Sequence, residues 1–185
     1  MTANYRFDSN QSRLTVRAFA TGLLSFAGHS PTFAVRDLRG GVRFERGGTD
    51  GMALELAVAA DALGLVGSFS DSDRREIESR MIRDVLQVAA HPTITFEAVE
   101  IPVAPIAPGR SWLRINGRLS LHGVTRDHPV DAELQVLDDA LRVLGECPLR
   151  LSDYRISPVT ALGGTIRLKD ELHLTFDIIG LRESP

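Results

Sequence analysis

Apolar and polar residues alternate with period two along most of the chain, the pattern of half-buried β-strands. In "RLTVRAFA", Leu14, Val16 and Ala18 share one face and Arg13, Thr15 and Arg17 the other. In "MALELAV", Met52, Leu54, Leu56 and Val58 oppose Glu55. "TITFEAVEI" sets Ile94, Phe96 and Ala98 against Thr95 and Glu97. "PVDAELQVL" sets Val130, Ala132, Leu134 and Val136 against Asp131, Glu133 and Gln135. "ELHLTFDI" sets Leu172, Leu174, Phe176 and Ile178 against His173, Thr175 and Asp177. Weaker strands are expected at Thr32–Phe44, Trp112–Leu121, Leu141–Leu149 and Gly164–Leu168. "EIPVAPIAPGRS", with Pro102, Pro105 and Pro108, reads as an extended loop.

One dry and one wet face per strand is the mark of antiparallel sheet. About eight such strands joined by Gly, Pro and Asp turns predict a sandwich or a barrel. Several strands of nine or more residues would each run roughly 30 Å. That length suits a tall barrel with room inside. Ala18, Ala98, Ala132 and Gly145 are small residues on inward phases, where they would leave space.

"SFSDSDRREIESRMIRDVLQVAAHP" breaks the alternation. Ser70 and Asp73 stand in capping-box spacing. Ile77, Met81, Ile82, Val85 and Leu86 recur at helical intervals, and Glu76–Arg80 falls at i,i+4 on the wet face. Pro92 stops the helix and pushes His91 toward an extended conformation. The expected element is one amphipathic helix of about fifteen residues. Asp71 to Asp84 holds four Arg against five acids, so attraction to anionic lipid is poor. The helix is expected to pack on the sheet as a lid.

Composition narrows the function. The 185 residues suit one domain over 1–185, and 43% are hydrophobic, enough for a core. A formal charge of −3 argues against a nucleic-acid partner, which needs a basic face. No window approaches the apolar length of a membrane span, and the start, "MTANYRFDSNQSRLTVRAFA", lacks the n- and h-regions of an export signal. A cytoplasmic location is the expectation. The single cysteine, Cys147, excludes an intrachain disulfide and lies in phase with core residues.

Candidate chemistry is sparse. "LHGVTRDH" places His122 and His128 around a Gly123 turn, which reads as a hairpin connection; their spacing matches no metal-ligand pattern. His29, between Gly28 and Pro31, belongs to a loop at the barrel rim. Its ring either hydrogen-bonds loop backbone or meets a ligand headgroup. No Gly-rich phosphate loop, Gly-x-Ser-x-Gly elbow or catalytic residue is identified.

The order of "GLLSFAGHSPTFAVRDLRGGVRF", a helix running into "HPTITFEAVEI", then "INGRLSLHGVTRDHPVDAEL", "LSDYRISP" and "DELHLTFDI" resembles the YceI-like family of polyisoprenoid-binding, lipocalin-like proteins over nearly the whole chain. The resemblance implies an all-β fold with one helix, an extended eight-stranded antiparallel barrel. It implies an apolar tunnel for an isoprenoid lipid or quinone and no other cofactor, and members that often form homodimers. Two features depart from the family: the missing export signal, and Arg155 after Tyr154 where an aromatic is often followed by Gly.

The expected function is therefore binding, carriage or storage of an apolar lipid-like molecule. The barrel lining is expected to be Leu14, Val16, Ala18, Leu54, Leu56, Val58, Ile94, Phe96, Ala98, Leu134, Val136, Phe176 and Ile178, with Ile77 and Met81 from the lid helix. His29, Tyr154 and Arg155 are the headgroup candidates. The alternatives are an enzyme using the barrel as a reaction chamber, which would need an inward acid, base or nucleophile such as Glu97 or His91, and a ligand-free, stress-related interaction module with a filled core.

Overall fold

The alternating segments hydrogen-bond into one antiparallel sheet that closes on itself. The computed structural model describes residues 2–21, 30–45, 51–157, 160–161 and 166–183. Its strands are β1 (Thr2–Phe7), β2 (Arg13–Thr21), β3 (Thr32–Val35), β4 (Leu38–Glu45), β5 (Ala53–Ala59), β6 (Leu63–Val66), β7 (Thr93–Glu100), β8 (Val103–Ala107), β9 (Arg110–Leu121), β10 (Val124–Asp127), β11 (Val130–Val136), β12 (Ala140–Arg150), β13 (Thr160–Ala161) and β14 (Ile166–Arg182). The order β1-β4-β5-β7-β9-β11-β12-β14 returns to β1, a closed eight-stranded ring. Closure removes the free edges that an open sheet would expose.

The closing strand, β14, has two partners on one edge. Gly180–Arg182 pairs with Tyr5–Phe7 of β1, and Arg167–Asp177 pairs with β2. From β2 the sheet continues through β3 to β6. The segment expected as one strand over Thr32–Phe44 is thus split at Arg36–Asp37: β3 joins β2 and β6, while β4 joins β1 and β5. The expected loop after Glu100 is also corrected. Val103–Ala107 forms β8 against β9, since prolines are tolerated on an edge that gives no N–H to the ladder.

The outer faces carry the wet residues of each strand as cross-strand ion pairs. Arg114 meets Asp131 at 2.6 Å, Arg118 meets Glu97 at 3.7 Å, and Arg142 grips both oxygens of Asp177 at 2.7 and 2.6 Å. The last pair holds the Asp177 carboxyl below its ordinary range.

The helix α1 (Asp71–Arg80) starts at Ser70, whose Oγ accepts from the Asp73 amide at 3.1 Å. A π-helical turn, Met81–Val85, continues it, with the Leu86 amide donating to the Met81 carbonyl at 2.9 Å. Together they span the fifteen residues expected. The strand β6 ends the sheet path, so Leu65 presents an unpaired backbone edge. The helix closes it: Glu78 Oε1 accepts from the Leu65 amide at 2.8 Å, and Arg74 donates to the carbonyls of Leu65 and Gly67. Among the described residues no helix is long and apolar enough to cross a membrane.

The apolar interior falls into two clusters. One fills the end of the barrel built by β1, β4, β5, β11 and the C-terminal part of β14, around Tyr5, Leu38, Leu113, Ala132, Leu134, Leu141 and Ile178. Leu141 is fully buried there. The other lies under the helix and includes Phe33, Leu65, Met81, Leu86, Leu119, Leu121, Leu149 and Tyr154.

Candidate functional site

The second cluster surrounds a hollow. Its volume is about 530 Å³, within the range of sites that hold small molecules. The walls are apolar and mostly aliphatic: Leu14, Val16 and Ala18 of β2, Phe33 and Val35 of β3, Leu119 and Leu121 of β9, Leu149 of β12, and Leu168, Leu172 and Leu174 of β14. Ile77, Met81, Val85 and Leu86 form the roof. The polar lining among the described residues, Ser68, Ser70, Asp73, Glu76 and Arg80, comes from the helix, along its whole length, and the turn before it. The Arg80 guanidinium lies 3.1 Å from Glu76.

Of the residues expected to line the interior, seven face this hollow: Leu14, Val16, Ala18, Val58, Ile94, Ile77 and Met81. Leu54, Leu56, Phe96, Ala98, Leu134, Phe176 and Ile178 instead pack in the filled cluster. They point inward as the alternation requires; Leu54 and Ala98 border a second, more open and more polar space of about 780 Å³ beside Tyr5 and Val42, and the others pack against their neighbours. Val136 is a different case. It is exposed at the last position of β11, beyond the layer that the barrel covers.

The small inward residues behave in two ways. Ala18 borders the hollow. Ala98 and Ala132 lie in the filled cluster, and Gly145 admits the Phe176 ring, which occupies the place a β-carbon would take. At Gly145 the missing side chain makes room for a large neighbour and leaves no void. Gly117 receives the Phe96 ring in the same way.

His29 lies outside the described residues. Tyr154 is buried, and burial pushes its hydroxyl up to about 12. Arg155 is exposed, with a left-handed φ of 57° as it ends the 3₁₀ turn Leu151–Tyr154. Neither lines the hollow. Of the polar residues that do, the sequence pattern puts Glu76 and Arg80 on the wet face of the helix and Ser70 and Asp73 in its cap. Their charge gives no sign that the helix overhangs a hollow; the capping box at Ser70 marks only where the helix begins.

"LHGVTRDH" is a hairpin tip. His122 and Gly123, with φ of 52° and 73°, form a two-residue connection between β9 and β10, the left-handed pair typical of a type I′ turn. The His122 ring donates from Nδ1 to the Tyr154 carbonyl at 3.2 Å and lies 4.8 Å from the His91 ring. His128 is half-buried, and loss of hydration lowers its pKa, against the pull of Asp153. Among the described residues no three His, Cys, Asp or Glu side chains gather as a metal site. Glu97 faces outward toward Arg118. Cys147 is buried, with its thiol pushed up to about 11 by desolvation, which suppresses the nucleophilic thiolate.

Comparison with known proteins agrees with this architecture. No curated protein sequence matches the chain. Among solved structures, Burkholderia cenocepacia BcnA superposes with a TM-score of 0.71 at 13% identity, over 94% of this chain and 98% of that one. A polyisoprenoid binding domain from Saccharophagus degradans, implicated in plant cell wall breakdown, gives 0.70 at 16% identity, over 97% and 98%. The Campylobacter jejuni YCEI protein gives 0.61 at 14% identity, over 83% and 85%. At these identities the likeness speaks for the fold: a closed eight-stranded antiparallel barrel with a helix. The YceI-like domain model matches residues 5–179, and the chain belongs to the YceI-like family.

Proposed function

We propose that the protein binds and carries an isoprenoid-chain lipid, tail first, in the hollow beneath the helix and does not act on it chemically. The single observation that carries this reading is the 530 Å³ hollow with apolar walls. An unfilled apolar space of that size costs stability, and a flexible hydrocarbon chain would remove the cost. Burial gains about 0.8 kcal/mol per CH₂, so a five-carbon isoprene unit contributes roughly 3 kcal/mol before ordering costs are subtracted. The polyisoprenoid binding domain of the Saccharophagus degradans neighbour, which shares the fold, supports the same ligand class.

The opening sets the headgroup. Asp73 and Glu76 outnumber Arg80, whose guanidinium already faces Glu76. The amides of the first helical turn are served by the Ser70 cap, and Asp71 and Asp73 already answer the helix dipole. An uncharged head, such as a quinone ring or an alcohol, fits this rim better than a phosphate. The described lining holds no His or Cys, and its ionisable groups, Asp73, Glu76 and Arg80, all lie on the helix and not on the strands. This favours binding over catalysis. The hollow itself favours binding over a ligand-free interaction module.

Native mass spectrometry of the purified protein, followed by lipid extraction, tests the proposal. The expected result is a protein mass with one added apolar molecule, restored by a prenyl alcohol after delipidation. An empty barrel with no affinity for any prenyl alcohol overturns it.

A further inference from the structure

The hollow stops partway down the barrel, at one level on four strands. On β7, Ile94 lines it and the next inward residue, Phe96, does not. On β9, Leu121 and Leu119 line it and Gly117 does not; on β12, Leu149 does and Cys147 does not; on β14, Leu174 does and Phe176 does not. Phe96 packs against both buried clusters, so its ring stands between the hollow and the filled end. The ring is held there, because it occupies the place of the missing β-carbon of Gly117. Phe176 sits in the same manner on Gly145.

We infer that Phe96, seated on Gly117, is a length stop, and that the site takes a chain of about three to four isoprene units and gains nothing from a longer one. The inference rests on the proposed binding of prenyl chains. Two measures give the same length. At about 30 Å³ per methylene-sized group, the volume a water takes up in the liquid, 530 Å³ holds roughly fifteen to twenty carbons. Leu168 to Leu174 on β14 sets the longest wall, at most about 20 Å at 3.4 Å per residue, because the strand bulges between Leu168 and Leu172. Carbons beyond that length would remain at the opening, in water.

The test is displacement of a fluorescent apolar dye from the delipidated full chain by prenyl alcohols of two to nine units. Affinity should rise by roughly tenfold per unit up to about four units and then level off. Phe96→Ala should move the break to longer chains by at least one unit. Ile94→Phe, which raises the floor into existing space, should move it to shorter chains, and it keeps the test decisive if F96A does not fold. A rise that continues unbroken to nine units, or a break that stays in place in the variant that folds, overturns the length stop while leaving prenyl binding intact. Failure of every chain length to displace the dye overturns the binding reading itself.

Discussion

The two ends of the barrel share strands, alternation and residue classes, yet one is solid and the other hollow. The solid end has the close approaches. A β-carbon on Gly41 would fall on the Tyr5 carbonyl, and Gly180 packs against Leu141 and Tyr5. Tyr5 stacks on Phe44 at 5.5 Å between ring centroids, and the Phe96 and Phe176 rings drop onto glycines across the strand. The hollow end is walled mainly by Leu, Ile and Val on β2, β7, β9 and β14, and a helix lies where further side chains would close it. A barrel of eight strands is near the width at which side chains just fill it. Which end fills is then set by where rings can lie flat, and strand glycines provide those places.

Core truncation separates the ends most strongly. Leu141→Ala at the solid end should lower unfolding free energy by about 2–5 kcal/mol, because neighbours cannot collapse into the gap. Leu172→Ala in the hollow's wall should lose about 1 kcal/mol, since that side chain already faces open space. Urea unfolding midpoints measure both, and equal losses would erase the distinction between the ends. Enlargement should act in reverse. Ala132→Phe at the solid end should cost about 1–3 kcal/mol by overpacking. Val16→Phe should leave the midpoint nearly unchanged while weakening displacement of an apolar dye by prenyl alcohols.

The helix that covers the hollow offers a smaller effect. Glu78→Ala removes the acceptor of the Leu65 amide and should cost about 1 kcal/mol. Hydrogen exchange should quicken at Leu65 on β6 and stay slow on β12. The weakest effect is a pH dependence at the hairpin end. The folded pKa of His128 lies below its ordinary 6.5, because burial disfavours the imidazolium. The unfolded chain therefore takes up the proton first as pH falls. The stability linked to this group is complete above about 6.5 and declines as pH drops from there toward the folded value. His128→Gln should flatten that part of the stability–pH curve, and an unchanged slope would assign it to another group.

Much of the architecture could be read from residue order, because each rule involved is local. Alternation at Leu14–Ala18 or Leu172–Ile178 orients side chains within a strand. Ser70 and Asp73 mark a helix start, and Gly123 after His122 marks a tight turn. The same rules could not separate β3 from β4, because the split at Arg36–Asp37 reflects different partners on each side. They also passed over β8, whose strand character comes from Arg110–Leu113 beside it.

Residue order determined which side chains turn inward; only the tertiary structure decided what they meet there. Phe96 and Ile94 are two residues apart on one face of β7, and no local pattern tells the floor of a cavity from its wall. Their roles diverge because Gly117, brought alongside by strand pairing, admits one ring, while the helix holds space open above the other. Whether space is filled depends on groups distant in sequence, so the hollow becomes visible only when the ring of strands is closed.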